Sequence, residues 1–327
     1  MEILPVASGK GGVGKSVVAV NLAGMLAGMG KQVVLCDFDL GGANLHTLLG
    51  VRNNSAGLGN FIYKQVSSVA PLIQETGTPG LSFIAGDCLY PGTPNLDFFT
   101  KKKLLKELSL LPGDYALLDL GAGSTYNILD FYLMTRNSIL VTTAEITSIL
   151  NAYSFLKAAV FRFLNAQFAA KSPERQFIQD AIRSNTHGTD FSVLTVVDQL
   201  CGRFPESGEK ARQELSRLCP QIIVNRGKNG QDLEMARRLR SLVRAKLNVR
   251  LDFIGFLPED SAVPLSVAKR TPLFVSAPDS PFLTALQASA ERITVHDYNL
   301  NEDLAAGDED EDGDLERLRN EFTGNAG

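Results

Sequence analysis

Gly9-Lys10-Gly11-Gly12-Val13-Gly14-Lys15-Ser16 follows the short apolar run Ile3 to Ala7 and precedes a helix-like pattern from Val17 to Met29. Strand, glycine-rich loop and helix in that order are the context of a Walker A phosphate-binding loop. Glycines let backbone amides curl around an anion, and the helix turns its positive N-terminus toward it. Lys15 adds a point charge, and Ser16 offers a hydroxyl to a magnesium ion. Gly11, Gly12, Val13, Gly14, Lys15 and Ser16 are therefore the expected phosphate cradle.

Outward from the loop, short β-branched runs alternate with helix-length segments: Gln32 to Cys36, Leu81 to Ala85, Tyr115 to Asp119, Ile139 to Thr143, Gln221 to Asn225 and Leu251 to Phe256. With Ile3 to Ala7 this makes seven strand candidates, apolar on both faces. Such runs imply a doubly wound α/β fold, a mostly parallel sheet with helices on both sides. The alternation lapses over about residues 157–220, a mostly helical stretch that reads as an insertion capping one sheet edge. Residues 1–297 form the expected domain. Residues 298–327 read as an acidic disordered tail, because Asn301 to Glu321 holds ten acids and two bases and leaves the remainder of the chain at net +4.

Composition narrows the classes. At 327 residues and 44% hydrophobic content the chain can bury a large core. No apolar run reaches the roughly eighteen residues of a membrane span, and no basic leader follows Met1, so a cytoplasmic protein is expected. Cys36, Cys88, Cys201 and Cys219 contain no C-x-x-C pair, and His46, His187 and His296 lack zinc-ligand spacing, so reduced thiols and no structural metal are expected.

Asp37 and Asp39 end one apolar strand, at the carboxyl side where open α/β sheets bind ligands. Asp119 ends another, as a Walker B strand presents a carboxylate to magnesium-bound water. One alternative shares the loop: Gly9 to Gly14 also fits G-x-G-x-x-G, and Asp37 lies about where a dinucleotide fold places its ribose-binding acid. Lys10 and Lys15 argue against it, since a pyrophosphate turn relies on backbone alone.

The early lysine, Lys10, together with Val33-Val34-Leu35-Cys36-Asp37-Phe38-Asp39-Leu40 and Gly41-Gly42-Ala43-Asn44-Leu45, resembles the deviant Walker A ATPases of the MinD/ParA group over roughly residues 2–295. The resemblance implies ATP and Mg2+ as cofactors, slow ATP hydrolysis and an ATP-dependent homodimer, with Lys10 reaching across to the partner's nucleotide. It implies that Lys10, Lys15 and Asp39 serve catalysis, Asp39 on the attacking water. Ser16, Asp37 and Asp119 would then serve the metal shell. Asn225, Arg226 and Pro258 match where the family holds adenine, and no Asn-Lys-x-Asp guanine reader occurs. The proline that usually follows the Walker B acid is missing from Leu120-Gly121-Ala122-Gly123.

Thr142-Thr143-Ala144-Glu145-Ile146-Thr147-Ser148 with Asn151-Ala152-Tyr153 resembles a stretch of FlhG/FleN proteins, regulators of flagellar number and placement. Ala144, Ile146 and Asn151 depart from its two prolines and its aspartate. Thr147-Ser148 could equally cap a helix. An unidentified protein partner of the flagellar or partition machinery is implied. Membrane tethering is not expected, because Leu315, Leu318 and Phe322 lie beside an acidic run that anionic lipid repels. DNA is the further candidate partner: Arg237, Arg240 and Arg244, spaced i, i+3 and i+7, would line one helix flank in the manner of a ParA-type partition ATPase.

Overall fold

Strands form where β-branched and aromatic residues sit shoulder to shoulder, and the computed structural model describes them within residues 1–40, 42, 44–52, 56–86, 96–184, 192–295 and 312–324. The first half runs β1 (Glu2–Ser8), α1 (Lys15–Gly28), β2 (Val33–Phe38), α2 (Leu45–Leu49), α3 (Leu58–Ile62), β3 (Gln74–Glu75), β4 (Leu81–Ile84), α4 (Phe98–Ser109), β5 (Tyr115–Ala122), α5 (Tyr126–Tyr132) and β6 (Ile139–Thr143). Four helices follow, α6 (Ile146–Ala166), α7 (Pro173–Ser184), α8 (Val193–Arg203) and α9 (Pro205–Ser216). The chain closes with β7 (Gln221–Gly227), α10 (Asp232–Leu247), β8 (Asp252–Pro258), α11 (Ala262–Lys269), α12 (Leu273–Ser276), α13 (Pro281–Val295) and α14 (Gly313–Gly324).

Among the described residues the sheet has eight strands in the order β3-β4-β2-β5-β1-β6-β7-β8. All seven expected strands are present and pair in parallel. The eighth, β3, pairs antiparallel with β4 at the sheet edge. Alternate side chains along each strand enter opposite cores: Leu4, Leu35 and Leu117 pack with Leu22 of α1 and Leu286 of α13, whereas Ala7, Cys36 and Leu118 pack with Leu104 of α4, Phe155 of α6 and Leu239 of α10. The doubly wound α/β architecture follows directly from these two apolar faces.

Two expectations change. The insertion does not cap a sheet edge but forms a third layer over α6 and α10: Ile178, Val196, Val197, Leu200 and Leu215 join the core beneath α6, and Ser192 donates from its Oγ to the Lys246 carbonyl at 3.1 Å. The physical reason is that each of its helices has a narrow apolar stripe, which finds apolar surface on neighbouring helices and none on a strand edge.

The acidic C-terminus is likewise not uniformly a disordered tail. Leu315 and Leu318 of α14 are buried, and Phe322 stacks edge-on against Phe256 with centroids 4.9 Å apart. Asp314 accepts from the Phe253 N–H at 2.8 Å, on the edge strand β8, and binds Arg240 at 2.5 Å. Asp312 binds the same guanidinium at 2.8 Å, and Arg240 stands 4.9 Å over the Phe253 ring. Arg237 and Arg240 are therefore not part of an open phosphate track. Arg240 is only 8% exposed, and Arg237 pairs with Glu234 at 2.9 Å and lies 3.5 Å from Asp312. The acids between 301 and 311 lie outside the described residues. No helix among the described residues is long and apolar enough to cross a membrane.

Candidate functional site

The phosphate loop joins β1 to α1 at the carboxyl edge of the sheet. Gly12 and Gly14 hold φ of 82° and 88°, a backbone that side chains resist, and Val13 between them is buried. A Cβ on Gly14 would stand 2.4 Å from Asn225 Nδ2, so glycine is also required by close approach. Helix α1 then starts at Lys15, with Val18 donating to the Gly14 carbonyl at 2.9 Å. Its first amides carry no side-chain cap and face the loop.

Strand register assembles the carboxylates. Asp37 on β2 and Asp119 on β5 are direct cross-strand partners, and Asp119 also lies opposite Val6 of β1. The Lys15 ammonium contacts Asp119 Oδ1, with both side chains buried, and lies 3.5 Å from Ser16 Oγ. Asp37 accepts from the backbone N–H groups of Asp39 and Leu45, each at 3.1 Å. Burial, then the neighbouring Asp119 charge, pushes Asp37 up to about 7, against the pull of those two amides. Burial also raises Asp119, opposed by Lys15 and Ser16. Asp39 is half-buried and turns toward the end of β5, where a Cβ on Gly121 would meet its Oδ1 at 3.3 Å. Asp37, 1% exposed with both oxygens engaged by backbone, is not presented to a ribose, which removes the geometry a dinucleotide turn requires.

The second wall comes from β7 and β8. Asn225 donates through Nδ2 to the Val13 carbonyl at 2.8 Å and accepts from the Arg226 N–H at 2.9 Å. Arg226 sits at φ 58°, where the β7–β8 register shifts between Val224 and Gly227. Asn225, Arg226 and Pro258 line one cleft of about 750 Å³ with Gly14 and Val17, so the expected base-binding residues are brought to the phosphate loop. Glu259, Asp260 and Val263 also line it and had no recognisable sequence signal.

Lys10 leaves the cradle on the other side. Its ammonium reaches Thr147 Oγ1 at 3.0 Å and Glu145 Oε2 at 3.3 Å. The loop rests on the first two turns of α6 so closely that a Cβ on Gly9 would be 2.3 Å from the Asn151 carbonyl. Glu145 is the residue that precedes α6, and Ser148 exchanges a 2.6 Å hydrogen bond with Thr143 instead of capping the helix. Glu145 and Thr147 thus join the site as partners of Lys10. Their sequence gave only a branch marker, because the contact spans 135 residues or more.

Three oxygen donors, the Ser16 hydroxyl and the carboxylates of Asp37 and Asp119, lie beside the glycine-rich loop. That hard donor set suits magnesium arriving with phosphate oxygens. Among the described residues no group of three or more His, Cys, Asp or Glu could hold a metal unaided.

Residues 4–273 match the CobQ/CobB/MinD/ParA nucleotide binding domain. The chain is 24% identical over 296 residues to the antiactivator FleN of Pseudomonas aeruginosa, covering 90% of this chain and 86% of FleN. It is 33% identical over 164 residues to the flagellum site-determining protein YlxH of Helicobacter pylori, covering 48% of this chain and 53% of YlxH. Its fold resembles the septum site-determining protein MinD of Pyrococcus horikoshii solved with Mg-ADP, with a TM-score of 0.55 and 20% identity over 89% of this chain and 95% of that one. The domain match spans most of the sequence and includes both walls of the cleft, and the chain belongs to the CobQ/CobB/MinD/ParA nucleotide-binding family.

Proposed function

We propose that this chain is an ATP-driven dimerising switch that regulates the placement or number of a cellular structure, the flagellum being the best supported case. The observation that carries the switch is the pairing of two lysines on one loop. Lys15 is buried against Asp119, while Lys10 is held at the surface by Glu145 and Thr147. An inward lysine serves the chain's own nucleotide, and an outward one serves a second copy.

In this reading the loop amides from Gly11 to Ser16 and the Lys15 charge grip the phosphates, with Asn225, Arg226 and Pro258 beside the base. Ser16, Asp37 and Asp119 would hold magnesium, which would supply positive charge to the phosphates. Lys15 exchanges Asp119 for phosphate on binding. Asp39, carried on the loop that closes β2, orients the attacking water. Phosphoryl transfer needs little covalent help from protein, so positioning and charge suffice. Lys10, released from Glu145 and Thr147, would meet the partner copy's phosphates.

The flagellar reading is supported by similarity to FleN along nine-tenths of the chain and to YlxH along about half of it. A partition role through DNA is less favoured, since Arg240 is buried under α14. Phosphate release from Mg-ATP tests the switch: wild type should turn over slowly, and Asp39→Ala should bind a labelled analogue normally yet lose about tenfold or more in turnover. Normal turnover in Asp39→Ala removes its assigned role. In the host, loss of the gene should change flagellar number or position. Unchanged flagella with unequal DNA partition would favour the other role.

A further inference from the structure

Three helices converge on a second cleft, of about 500 Å³, that the nucleotide site does not use. Ala158, Phe161, Arg162 and Asn165 lie on one face of α6, and Arg175, Gln179, Ile182 and Arg183 on one face of α7. Ser124 and Tyr126 close it from the start of α5. Among the described residues the lining holds three arginines and no acid.

Their charge is unevenly neutralised. Arg162 binds Asp130, which also receives Lys101 at 2.6 Å, and stands 4.9 Å over the Tyr126 ring. Arg183 is exposed, with Asp180 at 3.8 Å. Arg175 has no carboxylate among the described residues: Nη1 donates to the Phe168 carbonyl at 3.4 Å, and its buried Nε has no acceptor. Asn165 donates to the Phe161 carbonyl at 2.9 Å, and its buried Oδ1 has no donor. An underpaired guanidinium at Arg175, the exposed Arg183 and an unused amide oxygen face a floor of Leu129, Ala158 and Ile182, with aromatic rings at Tyr126 and Phe161.

We propose that this cleft binds an organic phosphate with a planar aromatic body. The phosphate is recognised by Arg175 and Arg183, since guanidinium forks match phosphate geometry and bind it as charge-assisted pairs. The ring lies between Tyr126 and Phe161, extending the stack that Arg162 already makes. A volume of this size suits a ligand of nucleotide-like dimensions. Ser124 lies on the segment that follows Asp119, so an occupant would touch the loop adjoining the nucleotide chemistry. The insertion helix α7 supplies both phosphate-binding arginines, which gives that insertion a chemical task.

The test is calorimetric titration of full-length protein, saturated with Mg-ADP, with phenyl phosphate and separately with inorganic phosphate. Phenyl phosphate should bind with a Kd of about 1 mM or tighter, and inorganic phosphate about tenfold more weakly. Arg183→Ala, a change at an exposed side chain that leaves the fold intact, should weaken phenyl phosphate about tenfold, as should Arg175→Ala, while Mg-ADP affinity stays unchanged in both. Absence of phenyl phosphate binding, equal affinity for the two probes, or binding that neither arginine variant weakens would each overturn the proposal. Mg-ADP affinity reports the main site separately, so failure here leaves the ATPase reading standing.

Discussion

Two buried cations in this molecule are each held between carboxylates, and they are held differently. Lys15 touches Asp119 while Asp37 stands beside them on the adjacent strand, so carboxylates outnumber the cation and burial drives Asp37 up to about 7. Arg240 instead receives Asp312 at 2.8 Å and Asp314 at 2.5 Å, rests on the Phe253 ring, and shares Asp314 with a backbone N–H. Asp312 keeps one face toward solvent, with its side chain 50% exposed. The first cluster carries more carboxylate than cation, the imbalance that the proposed binding of a metal ion with phosphate would offset. The second is complete within the chain. Unmet charge marks the functional end of the sheet, and met charge marks the scaffold.

That contrast breaks first at Lys15. Lys15→Ala should reduce affinity for a labelled ATP analogue by about a hundredfold or more, because the main side-chain charge on the phosphates is gone, while the fold survives. Undiminished binding would put the phosphates elsewhere. The complementary change is Arg240→Ala, which leaves Asp314 buried without its guanidinium. It should cost about 3 kcal/mol in urea unfolding and leave nucleotide affinity intact. If affinity falls as far as stability, the two clusters are coupled and the contrast fails.

Asp37 sharpens it through pH. Its folded value of about 7 exceeds the ordinary 3.8, so the folded protein keeps a proton that the unfolded chain has released. Stability of the metal-free protein should therefore fall as pH rises from about 4 to 7. Asp37→Asn should remove that slope and, above pH 7 without magnesium, unfold at higher urea by on the order of 2 kcal/mol. A variant less stable than wild type at pH 8 would show that the two backbone amides outweigh the burial of the charged carboxylate. The smallest effect belongs to the scaffold: Phe322→Ala, which loses the edge-on contact with Phe256, should cost about 1 kcal/mol with turnover unchanged.

How far the sequence could be read depended on how far apart the contacting residues lie. The phosphate loop was legible because one contiguous octapeptide carries its glycines, lysine and serine. The seven long strands were legible because their apolar residues recur locally. Strand β3 was not, since two residues, Gln74 and Glu75, acquire strand geometry only by pairing with Phe83 and Ser82. The link from Lys10 to Glu145 and Thr147 depends on how α6 packs against Gly9, which no local pattern encodes. Helix α14 was hidden by its own charge. Only the aromatic side chains of β8 and the guanidinium of Arg240 turn Asp312, Asp314, Leu318 and Phe322 from a solvated acidic run into a docked helix.

The central claim, that the two lysines of one loop serve two different copies of the chain, is tested most directly by light scattering of wild type and Lys10→Ala with Mg2+ and a non-hydrolysed ATP analogue. Wild type should double in mass when the analogue is added. Lys10→Ala should bind the analogue yet remain at the mass of one chain, because two sets of facing phosphates are left uncompensated. A full dimer population in Lys10→Ala, or a wild type that stays monomeric with the analogue bound, would contradict the account.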